Sequence, residues 1–299
     1  MTANYLPELL ENPEAERLAT GFVFTEGPLW HPDGYWYFVD IRQNRLYRLA
    51  PGQKAEVVRE TAGGNGTTFD LQGRLVLCEG SARRVVRLGA DGRLEVVAER
   101  YKGGRFNRPN DVVCRSDGSL YFTDPDQRVP YAEREIPGPS GVNNLWDGAC
   151  VYRALPDGAL SVLAYCEYPN GLAFSPDERT LYVANTRSTK YIHAIELDAA
   201  GNRSGRRIFA DMSQGKEPGI PDGLKVDSQG NVYCTGPGGI WVFDPAGKRM
   251  GIVRFPEQAV NFAFGGPDLK TLLCCAHTSV YTLRVKVPGN PHPWYRLRR

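Results

Sequence analysis

The sequence is poor in features that would announce many functions. No apolar run approaches the ~18 residues that cross a bilayer. The opening Met1-Thr2-Ala3-Asn4-Tyr5 lacks the basic-then-apolar order of a secretory signal. Neither sign of charge dominates: 36 basic and 34 acidic residues give a formal net charge of +2. So small a surplus argues against a nucleic-acid groove or a polybasic membrane surface. Only Arg296-Leu297-Arg298-Arg299 is locally basic, and it reads as a solvated tail. There is no Cys-x-x-Cys pair, no Gly-x-Ser-x-Gly elbow and no His-Glu-x-x-His, which removes common redox, zinc-site and hydrolase signatures. Helix-period patterning is nearly absent. The 7 cysteines lie in or beside apolar, strand-like runs, as small buried hydrophobes of a reducing cytoplasm do.

What is present is a repeat. The 33 glycines and 22 prolines recur between short β-rich runs. Six segments share one grammar, beginning at Glu26, Asn65, Asn110, Asn170, Asp222 and Val260. Each has an opening position, usually polar and usually followed by glycine, then a short apolar strand and a turn. A second strand follows: Trp36–Asp40, Leu75–Glu79, Leu120–Asp124, Leu181–Asn185, Val232–Gly236 and Leu272–Ala276. Two further strands fit into most intervals. Four antiparallel strands every ~40–50 residues predict an all-β, six-bladed β-propeller occupying residues 1–299 as one domain. The last repeat lacks a fourth strand, while Ala15–Thr20 is a spare one upstream, so the N-terminal strand is expected to seal the ring. The proline-, glycine- and asparagine-rich stretch 125–148 is expected to be a long loop over the active-site face.

Opening residues begin the innermost strands, so they should meet around one mouth of the axial channel. Five of the six, Glu26, Asn65, Asn110, Asn170 and Asp222, carry side-chain oxygens, and none is lysine or arginine. Oxygens crowded into a channel are costly unless a cation satisfies them. Carboxylates and amides without thiolate or imidazole suit Ca²⁺ or Mg²⁺. A second ring is expected at the ends of the second strands, at Asp40, Glu79, Asp124, Asn185, Gly236 and, one position further on, His277. Some of these are expected near substrate.

On Thr25–Trp30, Arg108-Pro109-Asn110-Asp111, Pro169–Ser175 and Pro221–Leu224, the sequence resembles the senescence-marker/gluconolactonase/luciferin-regenerating family of six-bladed propellers. The likeness runs roughly from Thr25 to Val287 and looks nearest to the bacterial gluconolactonases. It implies a divalent metal, commonly Ca²⁺ with Zn²⁺ or Mg²⁺ as alternatives, on Glu26, Asn170 and Asp222, and substrate contacts from Arg108 and Asn110. Asp111 stands where most repeats carry glycine; it is either a substrate-binding carboxylate or one that bonds local backbone amides. The implied reaction is hydrolysis of a small sugar-acid lactone, with the metal polarising the carbonyl and Asp222 as general base. A related propeller esterase or phosphotriesterase, and a non-catalytic ligand-binding propeller, are the alternatives.

Overall fold

A computed structural model describes residues 6–89, 91–125, 149–187 and 189–298. The loop expected over the active-site face lies outside the described residues from position 126 to 148.

Within each repeat the strands are ordered by burial. In the first blade, Thr25–His31 and Tyr35–Asp40 are largely buried, Arg45–Leu49 alternates, and Glu56–Glu60 is mostly exposed. The second strands are buried along nearly their whole length, Leu120–Asp124 (LYFTD) completely, because a blade is covered on both faces by its neighbours. That is why these strands read as near-continuous apolar runs. Between the second and third blades Cys78, Phe106, Val112, Phe122 and Tyr152 form one shared core. Between the sixth and first blades Trp30, Trp36 and Phe38 pack on Ala263 and Leu273. All seven cysteines are buried free thiols.

Six four-stranded antiparallel sheets result, each joined in sequence order except the last, whose outer strand comes from the N-terminus. Glu16–Thr20 pairs antiparallel with Ser279–Arg284, as the spare strand suggested. The innermost strands touch in a closed cycle from the first blade to the sixth and back, so the sheets form a six-bladed β-propeller. No described helix is long and apolar enough to cross a membrane.

The basic tail is exposed at Arg296, Leu297 and Arg298, as expected, but the segment leading into it is docked, because Pro293–Leu297 forms a short helix that lies beneath the ring. Tyr295 Oη donates to the Trp30 carbonyl, and Arg298 pairs with Asp33 at 2.8 Å. The Asn290 amide donates to the Val226 carbonyl, so the tail ties the fifth blade to the first. His292 Nδ1 accepts from the Trp294 amide at 3.1 Å, which leaves Nε2 to carry the proton and face Thr68 Oγ1 at 3.2 Å. Burial holds its imidazole down at about 4, against smaller opposing effects of the Phe69 backbone and Asp70. His193, beside Arg206 in the fourth blade, is likewise lowered to about 4 by burial.

Both imidazoles stay neutral in the folded protein, whereas the unfolded chain protonates them near 6.5. Stability is therefore fully present above pH 6.5 and declines as pH falls toward 4, by about 1–3 kcal/mol per group. Urea midpoints measured across that window are expected to fall. His292→Asn should flatten part of the slope; an unchanged slope would refute the assignment.

Candidate active site

The site begins with the way neighbouring blades meet at the axis. In three blades the amide following the opening residue donates to the next blade's opening carbonyl: Gly66 to Asn110 at 2.7 Å, Gly171 to Asp222 at 3.0 Å, and Gly223 to Val260 at 3.0 Å. Such close approach leaves no room for a side chain. A Cβ on Gly171 would sit 2.1 Å from the Asp222 carbonyl oxygen, and one on Gly27, at φ +54°, 2.1 Å from that of Asn65. The recurrent glycine after the opening residue is thus a consequence of ring closure.

Above this belt lies a cavity of about 240 Å³. Glu26, Asn65, Asn110, Asn170 and Asp222 all line it, so the five oxygen-bearing openings do converge. Arg108 lines it as well, together with Arg42, Ser81, Tyr168 and Thr186. The amides are oriented. Thr186 Oγ1 donates to the Pro221 carbonyl at 2.6 Å and accepts from Asn170 Nδ2 at 2.9 Å, which leaves Asn170 Oδ1 for other work. Glu26 Oε2 accepts from the Gly27 amide at 2.6 Å and Asn261 Nδ2 at 2.7 Å; neither bond uses Oε1.

The electrostatics are those of crowded anions. Burial pushes the Glu26 carboxyl up to about 7; its two hydrogen bonds oppose this, Asp111 adds to it and Lys225 relieves it. Asp222 is raised well above the usual carboxylate range by burial, then by Glu26 and Asp111, against the Asn170 amide and Lys225. Asn65 Oδ1 is buried without a hydrogen-bond partner. Mutually repelling carboxylates beside an orphaned amide oxygen are the donor chemistry of a hard divalent cation, so Glu26, Asn170 and Asp222 fit the metal that the resemblance implies. No cluster of three or more His, Cys, Asp or Glu occurs among the described residues, so any cation here must draw on amide oxygens too.

Asp111 is not among the lining residues. Its Oδ1 accepts the Val112 amide at 2.9 Å, the local backbone bond that was one of its two readings, while Oδ2 lies 3.6 Å from Lys225 Nζ. Asp40, Glu79, Asp124, Asn185, Gly236 and His277, the second ring, do not line this cavity, and four of them bond backbone amides. Asp124 accepts the Asn107 and Arg108 amides at 2.8 and 2.7 Å. Asp40 accepts those of Val23 and Phe24, Glu79 that of Ala62, and Asn185 that of Tyr168. In four blades, then, the end of the second strand clamps the segment that delivers the opening residue. His277, at φ +47°, packs against Phe24 and accepts the Thr25 amide on its carbonyl.

Sequence reasoning missed Asn261, Lys225, Arg42 and Thr186. Asn261 had a signal: it occupies the position after the opening residue that is glycine in most repeats, as Asp111 does.

Fold and cavity together define a six-bladed propeller with an oxygen-rich axial site flanked by arginine. The chain belongs to the family described as the SMP-30/Gluconolactonase/LRE-like region, which matches residues 24–278. It is 30% identical over 298 residues to a gluconolactonase of Zymomonas mobilis, covering 92% of this chain and 82% of that protein. It is 32% identical over 261 residues to a pentonolactonase of Haloferax volcanii, covering 83% and 79%. A solved gluconolactonase structure from Xanthomonas campestris superposes with a TM-score of 0.82 at 32% identity, covering 96% and 94%.

Proposed function

We propose that this protein hydrolyses a sugar-acid lactone, with Asp222 as general base and Arg108 and Asn110 holding the substrate. The observation that carries the reading is the convergence of Glu26, Asn65, Asn110, Asn170, Asp222 and Arg108 on a single cavity. The relatives named gluconolactonase and pentonolactonase support the lactone as substrate class.

A divalent cation held by Glu26, Asn170 and Asp222, with Ca²⁺ the first choice over Zn²⁺ or Mg²⁺, would supply Lewis-acid polarisation of the lactone carbonyl. Asp222 takes a proton from the attacking water as the water oxygen bonds to the carbonyl carbon. The ring C–O bond then breaks, and the leaving oxygen takes the proton held by Asp222 to become a hydroxyl, giving the open hydroxy acid and regenerating the carboxylate. The Arg108 guanidinium and Asn110 amide bind lactone oxygens and fix the carbonyl's position, with Asp124 holding the Arg108 backbone from behind.

Chelation tests the whole reading. Treatment with EDTA is expected to lower the rate of glucono-1,5-lactone opening, followed by pH-stat, at least a hundredfold, and added Ca²⁺ to restore it. Full activity in metal-free protein would remove the metal. Hydrolysis of a phosphotriester in preference to aldonolactones would replace the substrate class.

A further inference from the structure

The fourth position of each repeat forms a second tier below the ring. Leu29, Thr68, Val113, Ala173, Lys225 and Ala263 occupy it, and all six line a lower cavity of about 140 Å³ at the opposite mouth, walled by the C-terminal segment. Five are uncharged; the fifth blade supplies a lysine. The strand Leu224–Val226 explains its direction, because Leu224 and Val226 are buried in the core between blades and alternation turns Lys225 to the axis. Its Nζ donates to the Leu224 carbonyl at 3.0 Å and lies 3.6 Å from Asp111 Oδ2, a buried oxygen with no hydrogen-bond partner.

Lys225 and Asp111 therefore stand as a charge pair on the axis beneath Glu26 and Asp222. When a bound cation draws all three carboxylates into their ionised form, they and the one ammonium together carry two negative charges, which one divalent cation neutralises. We propose that Lys225 is the built-in counter-charge of the ring, holding the axis together when no metal is bound and setting the charge it accepts to two positive. This rests on the reading that the ring takes a divalent cation.

The test uses the full-length protein, calorimetric Ca²⁺ titration and Tb³⁺ luminescence with Ca²⁺ competition. In Lys225→Met, Ca²⁺ affinity is expected to rise on the order of tenfold, because a nearby like charge has been removed. The preference for Tb³⁺ over Ca²⁺ should widen on the order of tenfold, and the metal-free protein should melt at a lower temperature. Lys225→Arg, which keeps the charge, should return all three readouts toward wild type. If the methionine variant does not fold, Lys225→Gln carries the same expectations; a variant that folds only with Ca²⁺ supports the proposal. Unchanged or weakened Ca²⁺ binding with an unchanged Tb³⁺/Ca²⁺ ratio would reduce Lys225 to a packing residue while leaving the metal site intact. Wild-type protein that binds no Ca²⁺, Mg²⁺ or Zn²⁺ would take down both the metal and this inference.

Discussion

Asp222→Asn is expected to lower kcat for lactone opening on the order of a thousandfold while leaving a folded propeller. Loss of a positioned general base alone is worth about 10²–10⁴. The same substitution removes one of the two carboxylates proposed to hold the cation, so metal affinity should fall with turnover. The backbone requires nothing from the Asp222 side chain: its amide donates to Thr235 Oγ1 at 3.1 Å, and its carbonyl accepts from Gly171. Asparagine also relieves repulsion, because Glu26 and Asp111 both disfavour a charge at Asp222. The metal-free variant should accordingly melt no lower than metal-free wild type, a separation of activity from stability typical of functional sites. Measured kcat, calorimetric Ca²⁺ affinity and metal-free melting temperature check the three parts. Wild-type turnover in the variant would end Asp222's role as base.

Deleting residues 1–20 should lower the melting temperature by on the order of 10 °C or more, or yield aggregated protein. Glu16–Thr20 is the outer strand of the sixth sheet, and its loss exposes the unpaired edge of Ser279–Arg284. Further losses accompany it. Leu9 and Leu10 are buried in the core between the fifth and sixth blades, each worth about 1.5–3 kcal/mol. Leu18 and Ala19 pack beside Phe38 and Tyr47, and Glu11 pairs with Arg284 at 3.1 Å. Because a domain of this size loses about 2–4 °C per kcal/mol, several such losses reach the stated drop. An unchanged melt in differential scanning calorimetry would reject closure by the N-terminal strand.

The repeat made the blades legible because each obeys one local rule: a polar opening, a close-approach glycine, a short strand, a turn, and a second strand apolar on both faces. The same register made Glu26, Asn65, Asn110, Asn170 and Asp222 legible as a ring, since equivalent positions in a circular repeat must meet. The second ring stands back from the cavity for a reason of hydrogen bonding. Asp40, Glu79, Asp124 and Asn185 do end their strands on the correct face, but the incoming segment of the same blade has unpaired amides there, and these consume the carboxylates and the Asn185 amide oxygen. At the C-terminus, Arg296 and Arg298 are exposed as their charge suggested, while Trp294 and Tyr295 just before them supply the surface that docks the segment under the ring, which the charge pattern did not reveal.

By itself, then, the sequence determined the number of blades, the strand that closes them and the oxygen donors at the axis, because period and register are properties of one dimension. Only the tertiary structure decided which polar side chains face the cavity and which hold backbone, why Asn261 bonds Glu26 across 235 residues, and that Lys225 meets Asp111 below the ring. Such pairings join strands of different blades, and their distances exist only once the ring is closed.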